Sequence, residues 1–584
     1  MKIFVEKPIE IKSNQIFDGK NQVFTGAKTL RGVRTQNGVC VCDLTANGVV
    51  PSKMRSRGFQ RAFGGGHSEL FINDKPCNVS RYPTNGWLTI SGYKTETVNV
   101  FSEVVGDMRE GFFYEDDTPK AWSENSEIWI RGYWCYDWAS SCERIDVWDK
   151  EKGYIKTAAP YGLYGYQKGQ RFCFLNAKEG VKNAGDYAID YADNTLCFLP
   201  YDKKDDQEVS ISVTATPCIH LENQSNIVVK NCVIQGFVGD GIRINNCKNI
   251  RFENCKIYNV GGRGAFVTNS ENIVFENCEI FHVGDMGIEM TGGDRATLTP
   301  CNNVIRGCSI HDCTVWCRTY APAIHFIGVG VVIEGNTLYD CPHTAIWFYG
   351  NEIKVRENVV YNVLYETGDA GAIYTGRDYT CRGNEISDNL ICLTGGFGYG
   401  TMGIYNDDCM SGTTMERNVF YKVQRGILLG GGVDLTAKDN VFISCDKATV
   451  WDMRGTFETA NWRRIMRILK EHFYNVADDD TGNSELYLSR YPELQKISKA
   501  FKNAEDLPII PPSGSVEGSV YYDTEITVSN EAQPDKQDIT EYFGYENCIT
   551  VASMEELRQK ITPLQYAKYL KALEIERERE KLKQ

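Results

Sequence analysis

The sequence predicts an all-β chain wound as a right-handed parallel β-helix, a solenoid with an inserted β-domain near its N-terminus and a partly helical C-terminal segment. From about residue 217 the chain repeats itself, as SNIVVKNCVIQGFVGDGIRI, KNIRFENCKIYNVGGRGAFV and ENIVFENCEIFHVGDMGIEM, with Asn231, Asn254 and Asn277 23 residues apart. The slot continues through Gly307, Asn336, Asn358, Asn389, Asn418 and Asn440 in steps of 30, 29, 22, 31, 29 and 22. Each unit holds short β-branched or aromatic runs broken by Asn and Gly, too short for a helix pair and without WD or kelch signatures. A basic period of 22–23 residues matches one coil of a parallel β-helix. There the same position of successive coils pairs in register at ~4.8 Å, so like residues form ladders.

Taken in order, residues 1–50 read as the first strands of the β-helix, and 51–160, β-like and rich in Gly and Trp, as the inserted domain, placed to cap one end of a cleft. Residues 161–455 read as the β-helix with its active-site cleft. After Trp451 the repeat stops, and 456–584 form an extension that includes the helical stretch NWRRIMRILKEHF and ends in the charged helix LQYAKYLKALEIEREREKLKQ. That last helix is suited to docking or to homo-oligomer contact rather than chemistry.

Composition narrows the partners. The chain of 584 residues is 42% hydrophobic, 12% aromatic and 24% charged, ordinary for a globular protein. Its formal charge of -14 argues against wholesale binding to nucleic acid or an anionic membrane. The N-terminus, MKIFVEKPIEIKSNQIF, has no apolar core behind a basic start, and no segment reaches the roughly 18 apolar residues of a membrane span, so a cytoplasmic location is expected. In that compartment the 22 cysteines stay reduced. Cys232, Cys255, Cys278 and Cys308 recur at one place in the repeat, as small buried hydrophobes do; nothing has CxxC spacing, and neither metal nor cofactor is expected.

The spacing also shows where coils have been lengthened. A second landmark, the small residue opening the next strand, falls at Gly241, Gly264, Gly287, Ala323, Ala345, Ala372, Gly403 and Gly426. The interval from the Asn slot is 10 residues in the first three coils, 16 from Gly307 to Ala323, and 14 before both Ala372 and Gly403. Beyond the landmark the usual 13 becomes 20 after Gly287 and 17 after Ala372. Extra loop on both sides of one strand row makes a cleft, and long loops on a rigid scaffold carry function.

Strand alternation gives the floor of that cleft. The residues after each landmark, Ile242, Ile288, Ile324, Ile346, Ile373, Ile404 and Ile427, point inward. The next ones, Arg243, Phe266, Glu289, His325, Trp347, Tyr374, Tyr405 and Leu428, face outward, followed two residues later by Thr291, Tyr349 and Asp407. A file of aromatics and polar groups suits sugar rings, and it equally suits aromatics packed beneath loops.

The lengthened loops are rich in acids: GGDRATLTP at 292–300, YETGDAG at 365–371, GRDYTCRGN at 376–384 and YNDDCMSG at 405–412. Glycosidic hydrolysis needs two carboxyl groups, one protonated and one ionised, and like charges held close and partly desolvated supply that difference. Alternation aims Asp407 into the cleft; Asp408 follows at a turn. Asp369 is the preferred partner, although a straight strand would leave the two roughly 23 Å apart, so its loop must fold back. Asp378, on the adjacent coil, is the rival. Glu289, Asp294, Arg295, His325, Trp347, Glu366, Tyr374, Arg377, Asp378 and Tyr405 are the candidate substrate contacts; for Glu366, Asp378 and Asp294, salt bridges to Arg377 or Arg295 compete with that role.

GGDRATLTP, RTYAPAIHFIG, ETGDAGAIYTGRD and YNDDCMSGTTMERNVFYKV resemble the β-helix glycosidases of glycoside hydrolase family 141 and their relatives, with further likeness in ELFINDKPCNVSRYPTNGWLTI, GYWCYDW and AGDYAIDYADNTLCFLP. The resemblance spans about residues 10–455. It implies α-L-fucosidase or xylosidase-like hydrolysis of a terminal sugar of a plant- or host-derived oligosaccharide, with two aspartates falling on Asp369 and on Asp407 or Asp408. Relatives are usually exported; the expected absence of a signal here points to a small imported oligosaccharide. Two other classes share the fold. A polysaccharide lyase or uronate epimerase should present Lys or Arg, often with Ca2+, to an anionic sugar; a non-catalytic carbohydrate-binding β-helix should not crowd acids into its loops.

Overall fold

The computed structural model describes residues 2–583 apart from 37, 124–126, 203–206, 399, 453, 455–459, 478–482 and 527–542. Three long sheets, of 13, 12 and 10 strands and paired throughout in parallel, wrap one apolar core. Each full coil contributes one strand to each sheet, and the coils at the two ends give strands to the 13- and 12-stranded sheets alone. Ile242, Ile288, Ile324, Ile346, Ile373, Ile404 and Ile427 lie in register along the 10-stranded sheet and are completely buried. Period-2 alternation inside a 22–23-residue repeat is therefore enough to place the inward face.

The corner ladder departs from the sequence reading by one residue. Asn231, Asn254, Asn277 and Gly307 are left-handed corner residues, but from the next coil onward that position passes to Gly335, Glu357, Asp388, Arg417 and Asp439. Asn336, Asn358, Asn389, Asn418 and Asn440 instead continue the buried file begun by Cys232, Cys255, Cys278 and Cys308, as strand register shows. Each buried Asn bonds to the next coil: the Asn358 N–H and Nδ2 both donate to Asn389 Oδ1 at 3.0 Å, while Asn389 Nδ2 donates to Val355 O at 2.9 Å and Asn418 Oδ1 at 3.0 Å. Asn389→Ala strands several of these groups at about 1–3 kcal/mol each, and a urea melt should show that loss where the thiol positions, with only weak donors, tolerate Cys→Ala better. All 22 cysteines are unpaired and all but Cys40 and Cys548 are buried.

The insertion is larger than the expected 51–160. Ile16–Asp18 and Val23–Thr25 already pair with Ser225–Lys230 and Val233–Phe237, so the chain leaves the solenoid after residue 25 and returns at Ile219. Between them, Ala27–Thr29 to Val209–Ser212 build mainly antiparallel sheets, with Asn78–Val79 beside Asp186–Asp190 in parallel, around cores of their own. Residues 161–212 thus belong to the insertion and not to the β-helix. The solenoid also does not end near Trp451; the expected boundary at 455–456 touches the undescribed residues. After three helices, Ala460–Val476 (α1), Asn483–Arg490 (α2) and Leu494–Asn503 (α3), it resumes with Gly514–Glu517 and Val520–Tyr522, then Phe543–Glu546 and Ile549–Val551. The helices Met554–Lys560 (α4) and Pro563–Lys583 (α5) follow. The apolar face of α5, with Tyr569, Ala572 and Ile575, packs on Leu390, Val419 and Val441 of its own 13-stranded sheet, so this helix docks on the solenoid of its own chain. No helix among the described residues is long and apolar enough to cross a membrane.

Candidate active site

Register on the 10-stranded sheet sets Glu289, His325, Trp347, Tyr374, Tyr405 and Leu428 in one file, as alternation predicts. His325 stacks on Trp347 at 4.4 Å, and Tyr374 meets Trp347 edge-on at 6.0 Å and Tyr405 at 5.5 Å. The file is not the open floor that the sequence implied. His325, Tyr374, Tyr405 and Leu428 are buried. Tyr320, from the long loop before Ala323, reaches Trp347 at 5.7 Å and is met from the insertion by Phe59 at 4.9 Å and Trp138 at 6.1 Å. The insertion roofs the file because its own aromatic surface needs a partner.

Three carboxylates gather at the far end. Asp407 closes the strand Thr401–Asp407 opposite Gly376, whose missing side chain leaves room. Its Oδ2 accepts from the Tyr374 hydroxyl at 2.9 Å and its Oδ1 from Arg454 Nη1 at 2.6 Å, with Arg377 Nη2 3.7 Å away. Asp408 sits in the left-handed region, φ 40°, which turns it beside Asp407. It accepts from Arg377 Nε at 2.7 Å and from the same Arg454 Nη1 at 2.6 Å. Burial works to raise the Asp408 carboxyl, but the Arg454 and Arg377 guanidiniums outweigh it and hold it below the usual range.

Asp369 comes within electrostatic reach of them, despite the straight-strand distance, because the strands Ala370–Gly376 and Thr401–Asp407 fold in at a corner: a Cβ at Gly371 would lie 2.6 Å from the Tyr405 Cβ, three places on from its register partner Met402. A Cβ at Gly403 would lie 2.7 Å from the Gly426 carbonyl, so the corner has no room for a side chain. Asp369 Oδ1 accepts from the Tyr405 hydroxyl at 3.1 Å, and the Tyr405 hydroxyl in turn accepts from Arg454 Nη2 at 3.4 Å. Burial first, and then the charge of Asp407, push the Asp369 carboxyl up to about 6. The insertion secures the loop: Thr367 Oγ1 donates to Asp137 O at 2.9 Å and Arg171 Nη2 to Glu366 O at 2.8 Å. The Glu366 carboxylate accepts from Tyr133 at 3.1 Å and pairs with Arg318.

Several expected substrate contacts are committed to the scaffold instead. Asp378 is fully buried and accepts from the Thr380 N–H at 2.7 Å, the Thr380 hydroxyl at 2.6 Å, Arg295 at 3.2 Å and Tyr349, so it is not brought to Asp407. Arg295 spends its other donors on Asn351 and Thr380, at 3.0 and 2.7 Å. Asp294 caps its own turn through Ala296 N and Thr297 Oγ1, both at 2.9 Å. Glu289 pairs with Arg263 at 2.5 Å and Glu366 with Arg318. A buried charge must be paired and hydrogen-bonded, and these loops bury theirs. The partners expected for Glu366, Asp294 and Asp378 were right only for Asp378 with Arg295.

Sequence reasoning missed Arg454, which ties Asp407, Asp408 and Asp452 together, the last at 2.7 Å. It also missed the half-buried aromatic wall above the acids. Tyr164 stacks on Phe59 at 5.7 Å and on Phe101 at 5.5 Å and meets Trp138 at 5.0 Å. Tyr320, beside this wall, lies within the electrostatic reach of Arg377, Asp407 and Asp369. The signals were the Tyr of RTYAPAIHFIG and the Trp of GYWCYDW, which alternation cannot place.

The geometry can be set beside known proteins. The family profile of the right handed beta helix region matches residues 207–326 and 308–460. The solenoid is that of the right-handed parallel β-helix. A solved structure described as a glycoside hydrolase superposes with a TM-score of 0.55 at 12% identity, covering 77% of this chain and 87% of that one. A complex of XylC with xylose aligns over 94% of this chain and 80% of the other at 9% identity and a TM-score of 0.42. The catalytic unit of the GH87 alpha-1,3-glucanase of Streptomyces thermodiastaticus strain HF3-3 aligns over 91% and 90% at 8% identity and a TM-score of 0.35. Likeness at such identities establishes fold alone. No curated protein matches the sequence.

Proposed function

We propose that the protein is a glycoside hydrolase in which Asp369 is the general acid and Asp407 the ionised nucleophile or base, removing a terminal sugar from a small oligosaccharide. The observation that carries this reading is the pairing of a buried carboxyl pushed up to about 6 with a second carboxyl bonded as an acceptor by Arg454 and Tyr374. A carboxyl raised by burial beside a second one held by a cation is an arrangement suited to glycosidic cleavage. The roofed file supports attack at a chain end, since a polymer would need an open groove. Arg377 and Arg454 are both spent on Asp407 and Asp408, which weighs against a lyase or epimerase that must offer a cation to a uronate. The resemblance to family 141 makes α-L-fucosides and β-xylosides the first substrates to try.

The test is hydrolysis of aryl α-L-fucoside, β-xyloside, α-galactoside and α-L-arabinoside by the full chain. Release from at least one is expected. Because Asp369 must carry a proton, kcat should fall as pH rises past about 6. Asp369→Asn should abolish that alkaline limb while an aryl leaving group, which needs little protonation, keeps residual turnover. A silent panel combined with an unsaturated product from a polyuronate would transfer the reaction to the lyase class.

A further inference from the structure

One place beside the acids holds polar atoms that nothing in the fold satisfies. Both ring nitrogens of His325, both of His343 and the hydroxyl of Thr344 are buried with no hydrogen-bond partner among the described residues. The three residues are 6%, 5% and 2% exposed. They surround one aromatic corner: His325 stacks on Trp347 at 4.4 Å, Tyr320 meets Trp347 at 5.7 Å, and Tyr320 packs on His343 at 5.2 Å. Glu289 Oε1 lies 3.9 Å from His325 Nδ1, beyond hydrogen-bonding distance, and its carboxylate is taken by Arg263. Single orphaned atoms occur elsewhere on the solenoid, at Asn259, Thr375 and Asn406, whereas here five belong to three residues, two of them adjacent in sequence.

The corner adjoins the reaction site. Trp347 is one coil from Tyr374, whose hydroxyl donates to Asp407, and His325 is one coil further, ~4.8 Å per coil. Burial lowers both imidazoles, His325 to about 4 and His343 to about 3, so both rings are neutral at pH 7. A neutral imidazole has one donor and one acceptor nitrogen. Two such rings and a threonine hydroxyl match groups that both give and receive a hydrogen bond, as sugar hydroxyls do. A carboxylate only accepts, and the cations that adjoin the corner, Arg377 near Tyr320 and Arg263 near His325, are already paired with Asp408 and Glu289.

We propose that His325, His343 and Thr344, beside the packed rings of Tyr320 and Trp347, form a subsite for an uncharged sugar residue and select against uronates. The inference rests on the glycosidase reading for its place in a reaction, but its binding test does not depend on turnover.

The test uses the full chain at pH 7 and titrates D-xylose, L-fucose and D-galactose against D-galacturonate and D-glucuronate by calorimetry, on the wild type, His325→Phe, His343→Phe and Asp407→Asn. At least one neutral sugar should bind the wild type and Asp407→Asn, tenfold or more weaker in each His variant, with no uronate binding. The ligand-free Tm of His343→Phe should be unchanged or higher, because the substitution removes orphaned polar atoms from an aromatic corner; a His with a structural partner would lower it. Equal sugar binding in wild type and both His variants, preference for a uronate, no sugar binding at all, or a lowered Tm would each overturn the subsite. His-dependent sugar binding without hydrolysis of any glycoside would sink the hydrolase reading alone. Hydrolysis with KM unmoved in both His variants would sink the subsite alone.

Discussion

Asp369→Asn should lower kcat on a substrate with a poor, alkyl or sugar leaving group by about 10²–10⁴-fold, and Asp407→Asn should reach the upper end of that range on every substrate. The difference follows from their roles. Asp369, pushed up to about 6 by burial and by Asp407, gives a proton that a good leaving group can do without. Asp407 acts whatever departs. Neither variant should unfold the protein: Asn keeps an acceptor for Tyr405 in one case and for Tyr374 or Arg454 in the other. Asp369→Asn should even stabilise the ligand-free chain at pH 8. A carboxyl raised from 3.8 to about 6 contributes stability that is fully present below 3.8 and lost as pH rises through 6, so the neutral amide removes a charge the fold tolerates poorly. The measurement is kcat for matched aryl and sugar aglycones with melting curves at pH 5 and pH 8. Equal losses on both aglycones would remove Asp369 from the acid role.

Asp285→Ala should cost about 3–5 kcal/mol of stability, the penalty for breaking a buried ion pair from one side. Arg57 and Asp285 are both buried and meet at 2.6 Å. Arg57 Nη2 also donates to Gly261 O at 2.6 Å, and Asp285 accepts from the Gly64 N–H and the Cys317 thiol, each at 2.7 Å. Without the carboxylate, Arg57 keeps its charge in a place where its Nε and Nη1 already have no partner among the described residues. The pair also pins the insertion to the solenoid, so the variant should loosen the wall of Phe59, Trp138 and Tyr164 and become sensitive to proteolysis within residues 27–212. Replacing both partners by Met and Leu should recover most of the stability while activity stays low. A stability unchanged in Asp285→Ala would show that this contact contributes nothing to docking.

Much of the site was legible because it depends on local periodicity. Alternation after each small landmark put Glu289, His325, Trp347, Tyr374 and Tyr405 in one file and turned Asp407 outward, and strand register reproduces that file. The choice of Asp369 over Asp378 required more. It depends on the corner at Gly371 and on Arg295 already holding Asp378. The second is a pairing between residues 83 apart in the chain, and no spacing rule encodes it.

The limits of the solenoid show the same division. The insertion was read as 51–160 from its Gly- and Trp-rich β-like composition, and composition does not say whether a neighbouring strand runs parallel or antiparallel. The coils at Gly514–Glu517 and Val520–Tyr522 escaped notice because the helical excursion α1–α3 separates them from the repeat. The Asn slot was placed one residue off after Gly307 for a related reason. Asparagine serves both at a left-handed corner, where its short side chain tolerates positive φ, and in a buried amide ladder, where both ends of the amide bond to the next coil.

By itself the sequence determined the coil, its inward face and the side of the helix where acids collect, since these follow from which residues recur every 22–23 positions. The tertiary structure decided which acids meet, which cations hold them and that an insertion of its own roofs the file. Those outcomes come from charges and rings that had to find partners once buried, and the partners lie on segments that only the folded chain brings together.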